Sequence, residues 1–434
     1  MPSSSRIPFN LVFDGVATSE PFGYQFSTIW MKATGGSPPY TPVLIDKSAS
    51  TSASQSANAN IHLFSVGGKL FLFLQTIAVG SSAIKVYVSS NGGSTWTLSD
   101  HITITGTLAL NGGGFYGVYW DGASPAATVC YPPASQLALS PLQFVDFNFS
   151  TGTFGAAYGT GGPSTTGCSA LVKRADGSLV AFYTTSSNTV LNVAVYASGV
   201  WGAPQTVSSF FTGGHTLQRQ NAGGVYAGNS WMELVFDPIL QTCHIFLSDN
   251  TPNTYYLSFS SANVLGSPHT FPTYGGNEIW IGQGVVSGGK LIVSAAGYDP
   301  TGTFPIPIVL YGSPSSAPVW TIDTAVDPGA IAANANIIAG AISVSSGIVS
   351  MLWFAAQPGD TTVGDSSILY LATSPSFGSW TPKVQVYNQL TDDPGAVLIS
   401  PGAGQSFINF VGSPLSGTGP TVTLTFKGVA RIPC

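Results

Sequence analysis

Ile61-His62-Leu63-Phe64-Ser65-Val66, Gly67-Gly68, Lys69-Leu70-Phe71-Leu72-Phe73-Leu74: two runs of six residues, both mainly apolar, flank a diglycine. Apolar runs of this length bounded by glycine read as buried strands, and a two-residue Gly-Gly connection reads as a tight hairpin. Ile84-Lys85-Val86-Tyr87-Val88 follows as a third strand, and Trp96-Thr97-Leu98 opens a fourth. The same grammar recurs along the chain. Turn signals stand at Gly67-Gly68, Asp121-Gly122, Asp176-Gly177, Asp237-Pro238, Gly288-Gly289, Ser346-Gly347 and Gly402-Ala403-Gly404, in steps of 54, 55, 61, 51, 58 and 57 residues. One antiparallel sheet per period of about 40–60 residues is the signature of a β-propeller. The expected fold is all-β: seven blades of four antiparallel strands, with helix close to zero.

A second series checks the count. The residues that open the fourth strands are Tyr40, Trp96, Phe154, Trp201, Leu265, Trp320 and Trp380, in steps of 56, 58, 47, 64, 55 and 60. Tyr40 has no hairpin before it, and the hairpin at Gly404 has no aromatic strand after it. A ring removes both mismatches if the last blade takes its inner strands from residues 395–434 and its outer strands from 26–46. Such sharing closes sheet edges that would otherwise be exposed. The chain then reads as one domain, 1–434: an extension over 1–25, the outer strands of the closing blade, six full blades over 57–394, and the closing inner strands. Six- and eight-bladed rings are alternatives that the spacing leaves open. The Ser-rich stretch Ser48–Ser56 reads as an inter-blade connection.

Composition narrows the function classes. Of 434 residues only 12 are Lys or Arg and 18 Asp or Glu, 7% against the usual quarter, with a net charge of −6. Nucleic-acid binding by phosphate neutralisation is not expected from such a chain. Its surface must be hydroxyl- and amide-rich, as suits an exposed extracellular or virion assembly. No segment reaches the ~18 apolar residues needed to cross a bilayer, so no membrane insertion is expected. The polar start Met1–Arg6 carries no apolar signal core.

The sharpest motif is Ser89-Ser90-Asn91-Gly92-Gly93-Ser94-Thr95-Trp96. It resembles the Asp-box, or bacterial neuraminidase repeat, of sialidase-like propellers, with Asn91 where the family has Asp. The resemblance implies a structural turn in which Ser89, Asn91, Gly93, Thr95 and Trp96 carry the motif. The Asn91 amide would bond turn backbone, Gly93 would supply positive φ, and Trp96 would plug the gap between blades. The same resemblance would imply three arginines gripping a carboxylate, a Tyr–Glu nucleophile pair and an acid/base. Only Arg6, Arg174, Arg219 and Arg431 exist, and they do not fall at blade steps. Arg174 precedes an Asp-Gly hairpin and is expected at a solvated strand end. Glu233, in Trp231-Met232-Glu233-Leu234-Val235, reads as a hydrogen-bonded core carboxylate or, as the functional alternative, a general acid/base. No catalytic residue is assigned.

Asparagine recurs before the innermost strands at Asn60, Asn111, Asn221, Asn277 and Asn336, and Ala-Asn-Ala-Asn-Ile repeats at 57–61 and 333–337. Turn chemistry explains this pattern, since Asn bonds its own backbone. The functional reading is an uncharged rim at the channel mouth for hydroxyl-rich ligands, joined by His215, Arg219, Tyr274, Glu278, Asp327, Asp392 and Asp393. The five histidines lack metal-ligand spacing, and Cys130, Cys168, Cys243 and Cys434 are too far apart for a zinc motif. No metal and no cofactor are expected. Cys130 and Cys243 read as buried hydrophobes, and Cys434 as a candidate for disulfide pairing. The expectation is a non-catalytic recognition or assembly module for a glycan or protein partner, within an oligomer or larger assembly. The alternatives are a sialidase-like exo-glycosidase and a purely structural coat or decoration subunit.

Overall fold

A computed structural model describes residues 42–46, 61–76, 82–91, 95–105, 115–134, 139–165, 167–185, 190–209, 211, 221–222, 225–226, 232–249, 253–276, 279–298, 305–326, 337–338, 342–345, 347–356, 367–375, 377–390, 397–399, 409–411 and 424–427. Every regular element among them is a strand. Six antiparallel sheets follow one another along the chain, here named A to F.

Sheet A runs in order Ile61–Val66, Lys69–Thr76, Ser82–Ser89, Thr97–Ile104. Sheet B is Gly117–Tyr119, Ala126–Tyr131, Gln143–Asn148, Thr153–Phe154. Sheet C is Gly167–Lys173, Leu179–Thr185, Val190–Ala197, Val200–Trp201, with Gln205–Thr206 also on its third strand. Sheet D is Met232–Asp237, Thr242–Ser248, Thr254–Phe259, His269–Thr270. Sheet E is Ile279–Ser287, Lys290–Tyr298, Pro305–Gly312, Thr321–Asp323. In sheet F, Ile348–Ala356 pairs with both Ile337–Ile338 and Ile342–Ser345, then Ser367–Ser374 and Val384–Leu390 follow. Two further pairings involve the chain's ends: Val397–Ile399 with Asn409–Val411, and Pro42–Asp46 with Leu424–Lys427.

The turn chemistry is the one the sequence demands. Gly67 and Gly68 take φ of 57° and 79°, and Gly288 and Gly289 take 56° and 70°, the left-handed pair that a two-residue hairpin needs. The turn around Asp237 is held differently. Its carboxylate accepts the Ile239 and Leu240 amides at 2.8 and 3.0 Å.

First strands of successive sheets lie side by side from B to F, then against Val397–Ile399, which in turn lies against Ile61–Val66 of sheet A. The core is a series of apolar seams between neighbouring sheets. Phe71 and Phe73 of A meet Val129, Val145 and Phe147 of B. Cys130 and Phe144 of B meet Leu179, Ala181 and Tyr183 of C. Val180 and Phe182 of C meet Ile245 and Leu247 of D, and Phe246 of D meets Leu291 and Val293 of E. Ile292 and Val309 of E meet Met351 and Trp353 of F. Successive side chains of a strand point to opposite faces, so odd and even positions serve different seams.

The fourth-strand aromatics fill the seam with the preceding sheet. Trp201 stacks on Phe144 at 5.0 Å and 16°, and its indole N–H donates to Gly159 O at 2.8 Å. Trp320 packs on Phe246, Tyr256 and Phe271, and Leu265 lies in the C–D seam. Trp380 lies in the E–F seam.

Polar ties cross the same seams. Asp100 of A accepts the Phe154 amide of B at 2.8 Å. Asp323 of E accepts the Gly378 amide and the Trp380 indole of F at 2.6 and 2.8 Å. Arg174 corrects the sequence reading: it is buried, at 5% exposure, and not solvated. Its Nη1 donates to Asn263 Oδ1 and its Nη2 to Ser260 O, both at 2.6 Å, while its guanidinium sits 5.3 Å from the Phe259 ring. The hairpin of sheet C thereby docks into a turn of sheet D, which explains why it is not at a free edge.

Arg174→Ala is expected to destabilise the protein by about 3 kcal/mol, because two charge-assisted bonds vanish and their acceptors stay at the seam. Arg174→Lys should recover less than half of that, since an ammonium cannot span both acceptors. Denaturant midpoints of the two variants check this.

Candidate functional site

In a four-stranded antiparallel meander, the start of the first strand, the connection between second and third strands, and the end of the fourth all share one end of the sheet. That end carries the sheet-to-sheet connections. The rim expected from the sequence would sit there, but Asn60, Asn111, His215, Arg219, Asn277, Glu278, Asp327, Asn336, Asp392 and Asp393 lie outside the described residues. Asn221 is placed in the short strand Asn221–Ala222, opposite Tyr226. Tyr274 is partly buried against the D–E seam. The described contacts do not join these two.

The Asn91 turn is described except for residues 92–94, so Gly93 lies outside the described residues. The Asn91 carboxamide oxygen accepts the Thr95 amide and the Ser89 hydroxyl, both at 2.9 Å, and its nitrogen donates to Thr95 Oγ1 at 2.8 Å. Trp96 is half-buried.

Glu233 and His62 both stand on first strands. Glu233, on the first strand of D, shares the face of Val235 and points toward sheet E. The first strand of E bulges between Ile281 and Gly284, and the Gly284 amide so exposed donates to Glu233 Oε1 at 3.1 Å. Ser294 satisfies the rest of the bulge, accepting the Gln283 amide at 2.9 Å and donating to its carbonyl at 3.1 Å. Burial pushes the Glu233 carboxyl up to about 8, against the smaller opposing pull of the Gly284 bond. At neutral pH it is mainly the neutral acid, able to donate a proton.

His62, on the first strand of A, meets Tyr116 edge-on at 5.7 Å and leaves Nε2 buried without a partner. Burial holds its pKa down to about 4, so the ring is neutral.

His244 is fully buried in the D–E seam. Tyr256 Oη can only donate to the Ser315 carbonyl, 2.5 Å away, so His244 Nδ1, at 2.6 Å, must carry the hydrogen and donate to Tyr256. Its Nε2 is left unpaired, and burial lowers its pKa to about 4. These bonds give His244 a structural role.

Sequence reasoning missed one pair at the connection end. Tyr255 Oη donates to Asp249 at 3.2 Å, and Phe211 meets the Tyr255 ring edge-on at 5.5 Å. Burial, then the Asp249 charge, raises the Tyr255 pKa. Only the alternation Ser248-Asp249 before a turn signalled it. Among the described residues no group of three or more His, Cys, Asp or Glu is placed to hold a metal, and no helix is long and apolar enough to cross a membrane.

No family model matches the sequence, and no curated protein matches it. Solved structures similar in fold include an ulvan lyase described as a new family of polysaccharide lyase, 9% identical over 90% of this chain and 96% of that one, with a TM-score of 0.48. The phage phi92 endosialidase is 7% identical over 90% of this chain and 69% of its own, also with a TM-score of 0.48. A lectin from Burkholderia pseudomallei is 14% identical over 87% and 95%, with a TM-score of 0.46. These are likenesses of fold.

The shifted groups define a pH profile. Between about 4 and 6.5 the unfolded chain binds protons at His62 and His244 that the folded chain refuses, so stability rises with pH. Between 4.5 and about 8 the folded chain keeps a Glu233 proton that the unfolded chain has lost, so stability falls with pH. Each group contributes a slope of at most about 1.4 kcal/mol per pH unit. Two rising terms outweigh one falling term until the histidines' ordinary pKa, so stability should peak near pH 6.5. Glu233→Gln is expected to abolish the decline between that peak and about pH 8, as urea titrations at graded pH would show.

Proposed function

We propose that this chain is a seven-bladed β-propeller whose last blade is shared between its two ends, and that it is a non-catalytic, surface-exposed recognition or assembly module. Closure is supported by the pairing of Pro42–Asp46 with Leu424–Lys427 and by Val397–Ile399 lying against Ile61–Val66. On that reading the turn at Asn91 is an Asp-box. The connection-bearing end, with its recurrent asparagines, offers amides and hydroxyls to a glycan or to a neutral protein surface.

The observation that carries the non-catalytic reading is the use made of ionisable groups. Arg174, Asp100, Asp323 and His244 all serve bonds between or within sheets. With 30 charged residues in 434, few remain for paired acid chemistry or metal binding. The similar folds include both catalysts and a binder, so the choice rests on this chain's own residues. A hydroxyl-rich exterior of this kind fits an extracellular or virion surface.

Glu233 favours a second reading, a sialidase-like exo-glycosidase, because a carboxyl still protonated at neutral pH is what a general acid requires.

A glycan array on the purified protein, with bound sugars checked for cleavage, separates the two. Selective binding of intact glycans is expected. Sugar release abolished by Glu233→Gln would establish the glycosidase. Silence on the array together with a stable homo- or hetero-oligomer would establish a coat or decoration subunit instead.

A further inference from the structure

Two buried thiols meet at the seam between sheets B and C. Cys130 stands opposite Gly117 across the first two strands of B. A Cβ at Gly117 would lie 2.8 Å from the backbone carbon of Ala170 and the nitrogen of Leu171, so the first strands of B and C pack backbone to backbone. Cys168 lies on that strand of C, where its amide donates to Phe115 O at 3.2 Å. The register of the strand slips between Cys168 and Ala170. A bulge of this kind re-aims the side chain it carries. Both cysteines are 0% exposed and belong to one apolar cluster with Leu142, Phe144 and Leu171. The Cys168 thiol donates to the Ala170 carbonyl at 3.5 Å, within the same seam that covers Cys130. Burial first, and then the Cys168 thiol, push the Cys130 thiol above its ordinary range. All three described cysteines are free thiols, and Cys243 lies apart, in the C–D seam.

We propose that Cys130 and Cys168 are a disulfide site that staples sheet B to sheet C when the chain folds in the presence of a small disulfide such as oxidised glutathione. One cysteine thiolate attacks the small disulfide, forming a mixed disulfide and releasing one small thiolate. The second cysteine gives up its proton and attacks the protein-bound sulfur, forming the Sγ–Sγ bond and releasing the other small thiolate. Two protein thiols are oxidised, one small disulfide is reduced to two thiols, and the protons pass to the leaving thiolates. A buried thiol held in its protonated form is a poor nucleophile, so exchange occurs while the chain is still open. Once the seam closes, the same burial protects the bond.

The test is to synthesise the full chain in a cell-free mixture containing a glutathione redox buffer and, in parallel, in one containing dithiothreitol. Free thiols are alkylated under denaturing conditions, and unreduced digests are mapped by mass spectrometry. The expected result is a linked Cys130–Cys168 peptide from the oxidised protein, with Cys243 alkylated. It should come with a rise of a few degrees in Tm. The variants Cys130→Ala and Cys168→Ala should each lose the oxidant-dependent part of that rise. Full alkylation of both cysteines in soluble protein from the redox buffer would overturn the proposal. So would pairing of either with Cys243 or Cys434, or an oxidant-dependent loss of soluble protein that Cys130→Ala restores.

Discussion

Strands in the middle of these sheets are buried on both faces, and the alternation of side chains along each strand decides which neighbour a residue meets. In Gln143–Asn148, Phe144 faces sheet C while Val145 and Phe147 face sheet A. In Leu179–Thr185, the odd positions face B and the even positions face D. A slip of one residue would exchange every contact of a strand between two seams of different shape. Register is therefore specified twice over, once by each neighbouring sheet. The same constraint explains why the second strands read as unbroken apolar runs and not as alternating ones.

A chain built this way has little room for charge, and the charges it keeps near the seams bond across them, although Arg174 Nε stays buried without a partner. Asp323 bridges sheet E to the turn of F that carries Trp380, and Arg174 bridges C to the turn of D that carries Asn263. A buried ion is tolerable when its hydrogen-bonding positions meet fixed dipoles, and backbone amides and carbonyls at tight turns supply such dipoles. Glu233 and the two histidines solve the problem the other way, by giving up their charge. Asp100, Asp323, Arg174 and Glu233 add directional bonds across seams that are otherwise mainly apolar.

Much of the architecture was legible in the sequence for local reasons. Diglycines at 67–68 and 288–289 and the Asp-Gly pair at 176–177 mark hairpins because few other residues accept those backbone angles. Trp201, Trp320 and Trp380 were legible as openers of fourth strands, and the structure shows that their rings fill the seams between sheets. The burial of Cys130 and Cys243 followed from their apolar strands. The Arg174 position was misread because a hairpin end looks solvated when its neighbours in space are unknown. The Tyr255–Asp249 pair, and the meeting of Glu233 with the Gly284 amide, join residues 6 and 51 positions apart, and no short-range signal encodes the second. The asparagine rim was a register argument, and most of the residues that would build it lie outside the described residues.

By itself, then, the sequence determined the all-β class, the period of the sheets, the hairpin positions and the uncharged character of the surface, because turn angles and side-chain alternation are local properties. Only the tertiary structure decided which seam each residue enters, that Arg174 is buried, that Glu233 keeps its proton at neutral pH, and that Cys130 and Cys168 share the B–C seam. Those outcomes depend on the approach of two sheets, on a missing side chain at Gly117 and on bulges in two first strands. Desolvation and contact act through space, and the chain distance between the groups they join carries no trace of them.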